Sequence, residues 1–273
     1  MVGKSTQIDV DAIIYDLEDS VSLSEKDSAR DNVTDQIRAI RTNVSKTEII
    51  VRVNVLSTKY AFDDLVEVCK YRPDAIIVPK ATSENISAVD YMVSMLEDKY
   101  GLEPNCIKLI PLLETALGIE DVSSIIAASK RVVGAQFGAE DFTKEMGIAR
   151  RPDNIEITYG RNKMAVACKA RNIDCIDTPY TQYTDIAGCE ADTKYAKAIG
   201  MTGRAIIHPS LIEITRRIFT PTDQEVQEAK EIVSAYEQGV REGKGAFSLR
   251  GKMIDAPIAD RARQVLAKAC AGA

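Results

Sequence analysis

Seven short runs of apolar residues punctuate the chain, and a stretch with helical period follows nearly every one. The runs are "DAIIYDL" (11–17), "EIIVRVN" (48–54), "DAIIVPK" (74–80), "IKLIPLLE" (107–114), "RVVGAQFG" (131–138), "CIDTPY" (175–180) and "RAIIHP" (204–209). They are continuous rather than alternating, the pattern of strands covered on both faces. Between them the spacing predicts helices near 24–42, 58–70, 83–98, 116–129, 155–171 and 188–200. Ser22 with Glu25 three residues on reads as a capping box opening the first of these. Strict alternation of strand and helix means right-handed βαβ units and a parallel sheet.

Seven strands is one short of a closed (β/α)8 TIM barrel. A doubly wound open sheet stays in play, although no glycine-rich turn follows the first strand as a dinucleotide site there requires. An amphipathic helix is expected near 222–241, then a glycine-rich loop "REGKGAFSLRGKMIDAP" and a last helix near 258–269. The reading is a barrel domain over 1–242 and a C-terminal helical arm or lid over 243–273.

Composition narrows the class. The chain of 273 residues is 45% apolar and 28% charged, as a globular protein is. A net charge of −6 argues against nucleic acid or an anionic membrane as partner. No apolar run approaches the ~18 residues a bilayer span needs, and no apolar segment with a cleavage site opens the chain. The six cysteines are scattered without a C-x-x-C pair, which fits reduced thiols in a cytoplasmic protein.

The candidate chemistry lies where the apolar runs stop. The first ends in Asp16, Glu18 and Asp19; the second carries Arg52 and Asn54; the third ends in Pro79-Lys80, the fourth in Glu114-Thr115, the fifth in Gly138-Ala139-Glu140-Asp141. The sixth carries Asp177 and the seventh ends in His208-Pro209. In a parallel barrel these ends converge on one face, where barrel enzymes place their chemistry. Crowded carboxylates repel unless a cation neutralises them, and hard oxygens without His or Cys suit Mg²⁺, with Mn²⁺ as substitute, rather than Zn²⁺. Glu114 and Asp141 are the expected metal ligands, with Gly138 allowing close approach. Arg52, isolated in an apolar strand, must face a carboxylate, either in a substrate or in Glu18 or Asp19. Lys80 either screens the acids, binds an anionic group or forms a Schiff base.

Other signals are weak. "VGKST" (2–6) lacks the upstream glycine and strand of a phosphate loop. A single histidine, His208, excludes a His-based metal cluster. The cations of "REGKG" and "RGK" belong either to a solvated loop or to a site for phosphate or pantetheine.

"DLEDSV" followed by "EKDSAR", then "VRVN", "PK", "ET", "GAEDF", "IHP", "FTPT" and "GKMIDAP" resemble, in order from about residue 10 to 265, the citrate lyase β-subunit family. That family also holds malyl-CoA, citramalyl-CoA and related acyl-CoA lyases. The resemblance implies a Mg²⁺-dependent (β/α)8 barrel, trimeric or hexameric. It implies Glu114 and Asp141 as metal ligands, Arg52 and Glu114 in contact with substrate, and Glu18 and Asp19 lining the pocket. The Asp255 of "GKMIDAP" is expected to reach a neighbouring subunit's site as an acid/base group, or else to cap the last helix. The family opens with a strand resembling "LFVPG", which this sequence does not contain. "MVGKSTQI" is then the remnant of a first helix, and a barrel so shortened is expected to close imperfectly and leave an exposed edge.

The activity implied is cleavage of a citryl thioester, carried on an acyl carrier protein or CoA, into oxaloacetate and an acetyl thioester. Citrate lyase α and acyl-carrier γ subunits are the implied partners. The alternatives are a stand-alone malyl-CoA or citramalyl-CoA lyase or thioester hydrolase, and a non-catalytic subunit that only docks the carrier.

Overall fold

A computed structural model describes residues 8–42 and 46–271. The chain forms two compact units, Met1–Pro209 and Ser210–Ala273. The expected helix remnant at the start of the chain lies, over Met1–Gln7, outside the described residues.

The first unit is built on seven parallel strands: β1 (Ala12–Asp16), β2 (Glu48–Arg52), β3 (Ala75–Val78), β4 (Lys108–Leu113), β5 (Gly134–Phe137), β6 (Asp174–Asp177) and β7 (Gly203–Arg204). They lie in the sheet in sequence order, each parallel to the next. That order has no reversal point, which removes the doubly wound alternative. Ile50, Ala75, Ile77, Ile110 and Leu112 share one face, and Ala12 of β1 and Ile176 of β6 both pack against this cluster. Strands five places apart meet the same apolar core, so the sheet curls as a barrel wall does. A closed eight-stranded barrel is not what the described residues form: β1 and β7 each pair along one edge only.

Among the described residues eight α-helices accompany these strands: α1 (Lys26–Thr42), α2 (Tyr60–Cys69), α3 (Ser83–Tyr100), α4 (Ala116–Glu120), α5 (Val122–Ala127), α6 (Ala139–Met146), α7 (Thr158–Arg171) and α8 (Ile186–Ala198). Tyr15, Leu17, Ile49 and Val51 face the helix layer and bury against Val33, Ile37 and Ile40 of α1 and Val68 of α2. Both sheet faces are thus covered, which is why the runs read as continuously apolar.

Several expectations are corrected. The seventh run was expected to be a strand over 204–209, but β7 ends at Arg204. Ala205 still donates its amide to Asp177 (3.1 Å), and Ile207 is then exposed as the chain leaves the sheet. Ser22 makes no capping bond; its hydroxyl meets Ser24, and the Glu25 carboxylate accepts from Ser28 instead. The region 116–129 divides into α4 and α5 at Asp121. An unexpected helix, α6, starts directly after β5 and puts Asp141 in its first turn. Asp177 is not at the strand-end face. Its neighbour Ile176 points into the sheet's apolar cluster, so Asp177 points to the helix layer. There it pairs with the buried Arg161 (2.8 Å) and with Arg204 (2.6 Å).

The second unit holds α9 (Ile212–Phe219), α10 (Asp223–Arg241), a hairpin of β8 (Phe247–Leu249) and β9 (Lys252–Ile254), and α11 (Ala256–Ala271). A reciprocal capping box opens α10, with Thr222 and Glu225 each accepting from the other's backbone amide. The hairpin replaces the expected open loop. Its turn, Arg250-Gly251, takes positive φ at both positions (51° and 77°), the geometry a two-residue hairpin requires.

Candidate active site

The parallel register sets Asp16 beside Arg52 at the C-terminal ends of β1 and β2. Arg52 Nε and Nη2 donate to the two Asp16 oxygens, both at 2.7 Å, and Nη1 stands 3.0 Å from Glu18 Oε2. Burial pushes the Asp16 carboxyl up, but the bidentate hydrogen bonds and charge of Arg52, with amides from Ser20 and Glu18, leave it at about 2. Glu18 is different. It is 5% exposed, and burial, reinforced by Glu114 and Asp19, raises it to about 7 despite Arg52 and Lys80. Asp19 points into solvent. Two acids that the sequence left equivalent therefore differ sharply in environment.

Beneath them lies a support of buried polar groups. The Lys26 ammonium donates to the Leu17 (2.7 Å) and Glu18 (2.6 Å) carbonyls. Asn54 donates to the Leu17 carbonyl (2.9 Å) and to Asp64 (2.6 Å), and Asp64 in turn accepts from Arg30 (3.0 Å). These contacts fix the backbone that aims Glu18.

Glu114 follows β4 and is 4% exposed. Burial raises its pKa, and Asp141 adds to the rise against the pull of Lys80 and Arg52. Its Oε1 accepts the Lys80 backbone amide (2.9 Å) and lies 3.7 Å from the Lys80 ammonium. The same ammonium donates to Asp141 Oδ2 (2.5 Å), and Lys144 reaches the other Asp141 oxygen at 3.9 Å. Lys80 adopts φ +46°, a left-handed backbone unusual for a side-chain-bearing residue. Gly138 is required where it stands: a Cβ there would lie 2.6 Å from Glu114 Cβ and 2.9 Å from Glu114 Oε2.

The geometry therefore brings Glu18, Arg52, Glu114 and Asp141 together, with Asp16 and Lys80. Fully ionised, these six groups carry two excess negative charges. Glu114 and Asp141 already converge on one cation, the Lys80 ammonium, and their hard oxygens are of the kind that hold a divalent ion. Among the described residues no set of three or more His, Cys, Asp or Glu side chains converges on a metal position, and these two carboxylates could hold one side of such an ion. Water and substrate oxygens would supply the remainder.

Asp255 lies in the second unit, where its carboxylate accepts the Ile258 amide (3.2 Å) at the start of α11. His208 stacks on the Tyr183 ring with centroids 4.4 Å apart. The tail cations Lys244 and Arg250 pair with Glu242 and Glu231, both at 2.8 Å. Sequence reasoning missed Asp16 as the bidentate partner of Arg52, and it missed the Lys26 and Asn54 supports. The one signal for Lys26 was a lysine in the first turn of a helix that follows an acidic strand end.

A model of the HpcH/HpaI aldolase/citrate lyase family matches residues 1–209, the span of the first compact unit. The chain belongs to this family. It is 35% identical over 273 residues to the citrate lyase subunit beta of Haemophilus influenzae, covering 100% of this chain and 93% of that protein. It is 30% identical over 278 residues to the human mitochondrial citramalyl-CoA lyase, covering 97% and 80%. A solved citrate lyase beta subunit from M. tuberculosis, complexed with oxaloacetate and magnesium, superposes with a TM-score of 0.64 at 26% identity, covering 77% of this chain and 87% of that one. No described helix is long and apolar enough to cross a membrane.

Proposed function

We propose that this chain is a Mg²⁺-dependent carbon–carbon lyase that splits a citryl thioester into oxaloacetate and an acetyl thioester, as the β subunit of a citrate lyase. Support comes from the identity to citrate lyase beta subunits over the whole chain, and from the oxaloacetate and magnesium held by the structural relative. The observation that carries the reading is that Glu114 and Asp141 share one cation beside Arg52. A bound Mg²⁺, for which Mn²⁺ would substitute, supplies a Lewis acid for the substrate's oxygens.

The residues divide the remaining work. Arg52 is held rigid by Asp16, and its unused N–H groups suit a substrate carboxylate or the oxygen of an enolate. Cleavage needs a group to take the proton of the citryl hydroxyl as the central carbon becomes the ketone of oxaloacetate. It needs another to protonate the departing enolate. Glu18, poised near neutral pH by burial, is assigned one of these transfers, and its exposed neighbour Asp19 is not. Asp255, on the segment 243–273, is assigned the other in a neighbouring subunit of a trimer or hexamer. The α and acyl-carrier γ subunits are the proposed partners, and the cytoplasm the proposed location.

A stand-alone lyase acting on malyl- or citramalyl-CoA is the second reading, favoured by the 30% identity to citramalyl-CoA lyase. Turnover of citryl-, malyl- and citramalyl-thioesters on CoA and on acyl carrier protein, with and without Mg²⁺, separates the two. Cleavage of the citryl thioester fastest, and loss of it with a chelator, is the expected result. Preference for malyl- or citramalyl-CoA establishes the second reading. Chelator-insensitive cleavage contradicts both.

A further inference from the structure

Lys80 stands where a divalent ion must go. Its ammonium is 2.5 Å from Asp141 and 3.7 Å from Glu114, so it lies between the two carboxylates assigned above as metal ligands. A divalent ion bonded to both would be within a few ångströms of that ammonium, and like charges so close cost on the order of several kcal/mol at a half-buried site. The two cations exclude each other.

The residue is built for such an exchange. Its backbone is anchored: the left-handed φ of +46° directs its amide to Glu114 Oε1, and its carbonyl accepts from Asn85 (3.5 Å). Its side chain is not anchored in the same way. That chain is 39% exposed and carries its charge on a flexible four-carbon stem, so the ammonium can swing outward without disturbing Glu114. In the metal-free protein the ammonium relieves the repulsion between Glu114 and Asp141, the former almost wholly buried. Arg52 and Lys80 both act electrostatically on Glu18, so an expelled ammonium has a second cation nearby with which to meet a substrate carboxylate.

We propose that Lys80 is a displaceable internal counter-ion. It holds Glu114 and Asp141 together in the metal-free protein, the divalent ion expels it, and in the loaded site its ammonium pairs with a carboxylate of the substrate. The inference rests on the metal-site reading above and goes beyond it.

The test is direct binding. Mn²⁺ is titrated calorimetrically into metal-free wild type, Lys80→Met, Lys80→Arg, Glu114→Gln and Asp141→Asn, and oxaloacetate is then titrated into each Mn²⁺-saturated protein that binds the ion. Removal of the competing charge is expected to tighten Mn²⁺ in Lys80→Met about tenfold or more. The same variant is expected to weaken oxaloacetate about tenfold, and Lys80→Arg to remain near wild type in both. In the wild-type protein, amine labelling of Lys80 followed by mass spectrometry is expected to rise with Mn²⁺ and fall again with oxaloacetate. This readout does not depend on any variant folding. Unchanged or weaker Mn²⁺ binding in Lys80→Met, unchanged oxaloacetate binding, or a labelling rate indifferent to Mn²⁺ overturns the inference. If Glu114→Gln and Asp141→Asn bind Mn²⁺ as wild type does, the metal-site reading itself fails. If they lose Mn²⁺ while Lys80→Met behaves as wild type, only the role of Lys80 fails.

Discussion

Arg52 shows how a single residue type carries information. A guanidinium in "VRVNV" is costly unless carboxylates meet it, and two do. Its partners were less legible. Asp16 faces Arg52 because β1 and β2 align those two positions, and a sequence does not print strand register. The consequence is measurable. The ordinary Asp16 carboxyl titrates near 3.8 and the folded one at about 2, so its pairing stabilises the fold above pH 3.8 and is lost as pH falls toward 2. The expected contribution is about 2 kcal/mol. Urea unfolding of metal-free wild type and Asp16→Asn should differ by about that amount at pH 5 and converge toward pH 2; a gap constant across that range would contradict the pairing. Gly138 offers a second check. A methyl there collides with Glu114, so Gly138→Ala should weaken Mn²⁺ binding at least about tenfold and cost about 1–3 kcal/mol of stability. Calorimetry and chemical unfolding measure both, and wild-type affinity in the variant would show that Glu114 does not need its present position.

At the scale of elements, the strands were readable because burial on both faces leaves continuous apolar runs such as "AIIY" and "AIIV". What failed were the elements without that signature. β7 holds only Gly203 and Arg204, and the apolar residues that follow it leave the sheet, with Ile207 exposed. α6 is eight residues long and begins where β5 ends, leaving no polar interval to mark it. The charge of Asp177 is visible in the sequence, but the direction in which it faces is not. In the structure Arg161 locks α7 to β6 through Asp177 and to α8 through Asp192, both at 2.8 Å, and Arg204 joins the same pair of acids. Removing one member of so buried a set strands the others, at a cost of about 3–5 kcal/mol. Arg161→Met is therefore expected to lower the thermal midpoint by roughly 10 °C. A fall of a degree or two would show that the network contributes little.

For the whole molecule, Asp16, Glu18, Glu114 and Asp141 from the strand ends do come together, and Arg52 and Lys80 offset part of their repulsion before any metal arrives. The proposed shared site makes a separate demand. If Asp255 of one copy serves the site of another, two inactive variants, Asp255→Asn and Arg52→Lys, should regain measurable activity when unfolded and reassembled together. Failure to complement, with mixed assemblies demonstrated by mass, would confine catalysis to the first unit.

The central claim is that Glu114 and Asp141 hold the same ion. Crystals grown with Mn²⁺ and oxaloacetate, with data collected at the manganese edge, test it most directly. The account predicts one anomalous peak about 2.1–2.3 Å from an oxygen of each carboxylate, with the Lys80 ammonium moved away from both. A peak bound by only one of them, or placed elsewhere in the molecule, would contradict it.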